Sequence, residues 1–289
     1  MTQTTTLNMI VPEVWGDMMQ AEFVGRTVFG QEGGFVKVDD TLEGQPGEKI
    51  TLPKWTKLGL DDTLDTLTET VAIVPDVLDT DQSNTATIKE AGKGAEVTDR
   101  ALLVGYGDPL AEVRRQFGQQ TVRTVDGDLR AAFEASATKT FDGSAGSFSA
   151  FTVADALGEF GDDADPGEFA GIVIHSKQRT AAFKDDNFIS ADKYGPNAVI
   201  LRGQIGDVYG VPVVVSDRTT VVVDGGGVGV NHYKALLIKR ESGLLLYKRR
   251  PVVEQDRDIL ARSTVVTTNV HYAAGVADTD GVCVVTTKA

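Results

Sequence analysis

QPGEKITLPKW, residues 45–55, sets apolar Ile50 and Leu52 among Glu48, Lys49, Thr51 and Lys54, the two-residue period of a strand. Pro53 removes a backbone donor, which confines such a strand to an edge or to a ribbon of its own. The chain runs on as KLGLDDTLDTLTETV, residues 57–71, mostly Asp, Thr and spaced Leu. An isolated two-stranded ribbon is marginal in water. Two arms of about 15 residues at ~3.3 Å each would reach ~50 Å when extended. The excursion must therefore fold back on its own body or lie on a neighbouring chain.

Its charge points outward. Between Asp39 and Asp81 stand eleven acids against three lysines, a balance of −8 out of the chain's −14. That field argues for solubility and against an exposed surface that grips nucleic acid. Its concentration in one segment is that of a solvated loop or of a partner for a basic surface. The chain of 289 residues is 41% hydrophobic and 24% charged, values of a folded protein with an ordinary core. The single cysteine, Cys283, excludes an intrachain disulfide. No Lys or Arg precedes Arg26, so no secretory signal is expected. No run approaches the ~20 apolar residues of a membrane span.

Downstream, Asp108-Pro109 opens the strongest helix signal, an N-cap followed by proline at the first position. Leu110, Val113, Phe117, Thr121, Val125, Leu129, Ala132 and Ser136 recur every three or four residues. From Pro109 to Ala137 this predicts a spine of ~43 Å. A short amphipathic helix is expected after Pro12, with Val14, Trp15, Met18 and Met19 on one face. FDGSAGSFSA, residues 141–150, has loop composition and is a boundary candidate. A helix over Thr152–Phe160, a strand over Phe169–His175 and a helix over Ser176–Asp185 are expected next. Strands follow over Val208–Asp217, Thr219–Val223, Ser263–Tyr272 and Gly281–Thr286. Ala235–Arg250 reads as a hairpin that turns at Glu241–Gly243.

Catalytic constellations are thin. His175, His232 and His271 are scattered and fit no ligand spacing. Cys283, inside VCVV, reads as a small buried hydrophobe. The glycines of 225–229 lack the Lys-Ser/Thr of a phosphate loop. Asp142 stands where a nucleophile elbow around Ser144 needs glycine. Asp79, Asp81, Ser83 and Glu90 match calcium-loop positions, but Asn84 replaces the required glycine and flanking helices are missing. The basic concentration of Lys239, Arg240, Lys248, Arg249, Arg250, Arg257 and Arg262, diluted by Asp256 and Asp258, is open to nucleic-acid binding, but without interleaved aromatics it reads better as an ion-pair surface. Its opposite is the acidic Asp61, Asp62 and Asp65.

The order of parts is a polar arm, an acidic extended loop, a long spine helix, an α/β lobe and terminal strands. It resembles a tailed-bacteriophage major capsid protein, with the fold named after phage Hong Kong 97. Five stretches carry the likeness in order: IVPEVWGDMMQAEF (10–23), AGKGAEVTDRALLVGYGDPL (91–110), IVIHSKQRTAAF (172–183), GQIGDVYGVPVVVSD (203–217) and LLLYKRRPVVEQDRD (244–258). The resemblance implies an α+β, Hong Kong 97-like capsid fold. Residues 1–34 would be the N-terminal arm with a short helix, and 35–101 the extended loop with flanking strands. Residues 102–150 would be the peripheral domain with its spine helix, 151–244 the axial domain and 245–289 the remaining peripheral strands. The excursion, from about Gly44 to Ile88, would lie over an adjacent subunit.

The implied function is self-assembly into an icosahedral head shell around a double-stranded DNA genome, without catalytic, cofactor-binding or metal residues. Candidate inter-subunit contacts are Lys54, Trp55, Asp61, Asp62, Asp65, Lys248, Arg249 and Arg250. Implied partners are other copies in pentamers and hexamers, a separate scaffolding protein, a portal, DNA enclosed without sequence-specific binding and, as a further candidate, a decoration protein; no membrane is implied. The location would be the virion capsid, assembled in the host cytoplasm. One branch of the family joins a loop lysine to an asparagine of the next subunit. Lys54, Lys57 and Asn269 have those residue types, which alone carry no crosslink. The alternatives are an encapsulin-like compartment shell, and an α/β enzyme with a site near His175 and Asp217.

Overall fold

The computed structural model describes residues 27–30, 33–40, 43, 46–55, 75–81, 84–104, 108–185, 206–223 and 231–288. The helix expected after Pro12, the acids Asp61, Asp62 and Asp65, and the glycine run 225–229 lie outside the described residues. In chain order the strands are β1 (Val36–Asp39), β2 (Lys49–Thr51), β3 (Lys54–Trp55), β4 (Thr80–Asp81), β5 (Thr85–Thr87), β6 (Lys89–Thr98) and β7 (Lys139–Ser147). They continue as β8 (Phe169–His175), β9 (Asp207–Val208), β10 (Val211–Ser216), β11 (Val221–Val222), β12 (His232–Lys239), β13 (Gly243–Asp258), β14 (Ser263–Val276) and β15 (Val282–Lys288). The α-helices are α1 (Asp99–Val104), α2 (Pro109–Ser136), α3 (Ala150–Gly158) and α4 (Gln178–Ala182).

Helix α2 starts where its cap requires. The Asp108 carboxylate accepts from the Leu110 and Ala111 amides at 3.0 and 3.2 Å, and Pro109 needs no partner there. Its buried face is Phe117, Gly118, Thr121, Val122, Val125, Asp126, Leu129 and Phe133. The expected stripe holds to Leu129 and then passes through Phe133, with Ala132 and Ser136 at its margin.

Two sheets pack on this helix. One runs β1-β13-β14-β6; the other runs β7-β15-β12-β8-β10-β9, with β11 beside β12. In the larger sheet Val173, Leu236, Ile238, Val282 and Val284 meet α2. Their neighbours in sequence, Ile172, Ile174, Leu237, Cys283 and Val285, meet α3, Phe148, Phe160 and Phe169 on the opposite face. Burial on both faces is why these strands read as unbroken apolar runs. In the smaller sheet Leu245, Tyr247, Val270 and Tyr272 face α2, and Leu244, Leu246 and Ala273 face away from it.

Two expectations are corrected. Residues 141–147 are not loop but the greater part of β7, which pairs in parallel with β15 from Cys283↔Lys139 to Thr287↔Gly143. A Cβ on Gly143 would come within 3.1 Å of both the Phe141 ring and the Thr287 methyl, so glycine there permits close pairing and does not signal a loop. Residues 235–250 are not a hairpin either. β12 pairs with β15 and β8, whereas β13 pairs with β1 and β14, so the chain crosses from one sheet to the other. Glu241 takes φ 55° at the crossing. A Cβ on Gly243 would lie 2.5 Å from Phe133 and 2.6 Å from Val36, an approach that only glycine allows.

Candidate subunit-contact site

The root of the excursion is a two-stranded ribbon. β2 pairs with β5 and β3 with β4, both antiparallel and each outside the two large sheets. Extra rungs tie it, from the Leu52 amide to the Asn84 carbonyl and from the Ile88 amide to the Glu48 carbonyl, both 2.8 Å. Ile50, Leu52, Ala86 and Ile88 pack on Leu244, Leu246 and Ala273. The root therefore sits on its own chain, on the face of the smaller sheet opposite α2. The intervening residues 56–74 lie outside the described residues.

Lys54 anchors the root. Its Nζ donates to Asp280 at 2.6 Å and to Asp278 at 3.1 Å. The Lys54 ammonium holds the Asp280 carboxyl below its ordinary pKa. Beside it Trp55 is 67% exposed, and Val77 and Leu78 on the returning arm are 85% and 56% exposed. Large apolar side chains left in solvent at the rim of a ribbon are features of a contact surface.

The basic run on β13 is engaged within the chain. Arg250 pairs with Asp40 and lies over the Tyr247 ring, Arg249 pairs with Glu254 at 3.1 Å, and Lys248 donates to the Gly47 carbonyl at 2.7 Å. The strand is irregular there, with register shifts between Tyr247 and Val252. The cluster thus meets the base of the excursion through backbone. Arg257 at the β13–β14 tip pairs with Asp99 of α1 at 2.8 Å. Next to it Leu103, Val104, Ile259 and Leu260 are exposed.

The residues considered for chemistry do not converge. Buried His175 accepts the Lys177 amide on Nδ1 at 3.1 Å and stacks on Tyr233 at 4.7 Å; burial lowers its pKa. Asp142 accepts the Ser144 amide at 2.9 Å as a local turn. His271 lies 3.7 Å from Glu90. The Cys283 thiol is buried and its pKa is pushed up to about 12 by desolvation. Asp79 accepts the Thr80 amide next to β4, whereas Glu90 stands on β6. Among the described residues no three His, Cys, Asp or Glu side chains gather as metal ligands.

Sequence reading missed a buried acid. Asp126 on α2 is fully buried. It accepts from Thr27 Oγ1 at 2.6 Å, the Val28 amide at 2.9 Å and the Gly30 amide at 3.2 Å, and it pairs with Arg218. One carboxylate thereby joins the incoming chain, the spine helix and the turn after β10. The available signal was an acid four residues after Val122 on an otherwise apolar face.

Comparison with known proteins completes the description. A family model described as "Phage capsid protein" matches residues 81–285. The major capsid protein of Staphylococcus phage phiMR11 is 32% identical over 274 residues, 94% of this chain and 91% of that protein. Among solved structures, the capsid of cyanophage P-SCSP1u has a TM-score of 0.70 at 12% identity, covering 91% of this chain and 88% of the other. The mature capsid of bacteriophage PhiM1 has a TM-score of 0.68 at 14% identity, covering 91% and 87%. Cyanophage Pam1 gives 0.67 at 14%, covering 93% and 92%. These matches favour neither a compartment shell nor an enzyme. With its α+β, Hong Kong 97-like fold, the chain belongs to the phage capsid protein family, and its function is that of a major capsid protein that forms the shell of the virion.

Proposed function

We propose that this shell is the icosahedral head of a tailed phage, closed around a double-stranded DNA genome, and that it works by binding and not by catalysis. Residues 102–150, with α2 as the spine, and 245–289 would be the peripheral lobe and 151–244 the axial lobe, whose loops meet at the five-fold and six-fold axes; β7 and β15, which fall outside 151–244, pair within the larger sheet. Chains would gather in pentamers and hexamers, helped by a separate scaffolding protein, with a portal at one vertex and a decoration protein as a further candidate partner.

The observation that carries this reading is the excursion. Its root is fixed to the chain by Lys54, Ile50 and Leu52, yet its rim presents Trp55, Val77 and Leu78 to solvent. A ribbon anchored at one end and apolar at its rim is supported when it lies on a neighbour. Each such contact is weak, but every subunit makes several, and multivalency turns them into a stable shell. The enclosed DNA needs no sequence-specific grip, in keeping with the net charge of −14.

Negative-stain microscopy of the expressed protein, alone and with scaffold, tests the proposal. Closed particles tens of nanometres wide are expected. A protein that stayed monomeric under every condition would overturn it.

A further inference from the structure

The layer that covers the larger sheet opposite α2 has two unlike ends. Strands β7 and β8 finish at the same end, with Ser147 and His175, and α3 and α4 begin there. Between these helices opens a groove of about 520 Å³, lined by Ser147, Ser149, Lys177, Thr180, Ala181 and Lys184 among others. Its one acid, Asp185, accepts the Ala150 amide at 2.9 Å. Lys177, Thr180 and Lys184 are exposed. Neither lysine pairs with an acid among the described residues.

The other end is acidic. α3 runs down to it, and the two short turns that follow carry Asp162, Asp163 and Asp165, all exposed. Asp165 accepts the Gly167 amide at 2.9 Å; Asp162 and Asp163 pair with no cation among the described residues. Lys239 is engaged by Glu168 at 2.7 Å and Lys139 lies over the Phe160 ring, which leaves Arg240 against Glu159, Asp162, Asp163 and Asp165. The β9–β10 turn lies beside these acids, since a Cβ on Gly210 would come within 3.1 Å of Pro166. At that turn Tyr209 takes φ 51° and Gly210 φ 80°, and Tyr209 is 51% exposed. Two left-handed residues between antiparallel strands make a type I′ turn, whose first position favours asparagine, aspartate or glycine. A bulky tyrosine there is a backbone outlier, and strain of this kind clusters where function uses the residue.

The seven residues of β8 separate the two ends, about 20 Å at ~3.3 Å each, so a copy does not seat its own turn in its own groove. The two surfaces complement each other: an aromatic knob among unpaired acids, and a groove between unpaired lysines. Exposed tyrosines of this kind anchor interfaces. We infer that Tyr209 of one copy, flanked by Asp162 and Asp163, seats in the α3–α4 groove of the next copy. A contact between two different patches is head-to-tail, and repeating it generates a ring when the rotation closes. Tyr209, both acids and both lysines fall within residues 151–244. The inference rests on the proposal that this lobe gathers around the five-fold and six-fold axes, and it names the contact that closes the ring. The rival occupant, the exposed rim of the excursion at Trp55 and Val77, stands outside that lobe.

Full-length chains test it. Tyr209→Asn puts a favoured residue at the turn, so the melting temperature of the subunit is expected to hold or rise. Particle yield is nevertheless expected to fall by about tenfold or more, the equivalent of ~1.4 kcal/mol. Lys177→Glu with Lys184→Glu is expected to lower the yield likewise, with unchanged circular dichroism, and adding Asp162→Lys and Asp163→Lys is expected to restore it. The deciding measurement joins Thr180→Cys and Asp163→Cys, both in one chain with Cys283→Ala, by a short thiol-to-thiol crosslinker after assembly. A ladder in whole multiples of the 30.8 kDa subunit, ending at pentamer and hexamer, is expected.

Normal yields from both Tyr209→Asn and the lysine reversal, or particles without the ladder, overturn the assignment and leave the shell-forming role standing. A crosslink from Thr180→Cys in one chain to Val77→Cys in another would seat the excursion rim in the groove and overturn it as well. If the unaltered chain forms no particles under any condition, the shell-forming role fails and this inference with it.

Discussion

Replacing Asp126 by alanine isolates the most connected polar group described in the molecule. The carboxylate is fully buried. It is held by Thr27 Oγ1, the Val28 and Gly30 amides and the Arg218 guanidinium. Removing it strands the Val28 amide, the Thr27 hydroxyl and one cation, while the Gly30 amide keeps Thr27 Oγ1 at 3.0 Å. Breaking a buried ion pair from one side costs ~3–5 kcal/mol. With an unfolding entropy of ~2.1 cal/mol/K per residue, this 289-residue chain would lose roughly 5–8 °C in melting temperature. Arg218→Ala breaks the same pair from the other side and leaves the fully buried carboxylate without its cation, so ~3–5 kcal/mol is expected there too, although the bonds to residues 27–30 remain.

Thermal scans of unassembled subunits read both variants, and trypsin cleavage after Arg26 reports locally, because the lost bonds hold residues 27–30. Faster release of the N-terminal segment in Asp126→Ala, with a smaller effect in Arg218→Ala, is expected. A shift below ~2 °C in Asp126→Ala would refute the reasoning, since four bonds to a buried charge cannot be lost so cheaply.

Three other outcomes are expected. His175 is buried and its pKa is depressed below 6.5 by desolvation, with Asp217 opposing and Lys177 assisting; the unfolded chain then binds the extra proton first. Stability is therefore expected to fall as pH drops from 6.5 towards the lowered value and then level off, a dependence that urea titrations should find flattened in His175→Asn. Gly243→Ala forces a methyl against Phe133 and Val36; a loss of ~1–3 kcal/mol, read as a lower urea midpoint, is expected from overpacking. Cys283 is expected to react with a thiol reagent only after urea is added, because its thiol is buried with its pKa pushed up to about 12; rapid labelling of the folded subunit would contradict its place in the core.

How much of this was legible depended on range. The cap, proline and apolar period of α2 are local, and they fixed the spine from Asp108 onwards. The runs GIVIH, ALLI and VCVV are unbroken because strands covered on two sides need no polar alternation; of this, the strand over Phe169–His175 and the burial of Cys283 were expected. Periodicity cannot say which sheet a strand joins. Residues 235–250 look like a hairpin because a turn separates two apolar runs, yet Gly243 slips past Phe133 and sends the second run to another sheet. Residues 141–147 look like loop because glycine and serine offer no side-chain packing, yet β15 supplies a backbone partner for them.

The contact surfaces divide in the same way. Acidity and length marked the excursion from composition alone. Which bases are already taken, by Asp40 and Glu254, and which stand open beside α4, only the folded arrangement decided. By itself the amino-acid order determined the spine helix, the buried strands, the acidity of the excursion and the family likeness, since each is written in short-range spacing, composition or whole-chain order. The tertiary structure alone decided the partition into two sheets, the burial of Asp126 and the groove between α3 and α4, because each depends on contacts distant in sequence, such as those of Asp126 with Thr27 and Arg218, 99 and 92 positions away, which no local period encodes.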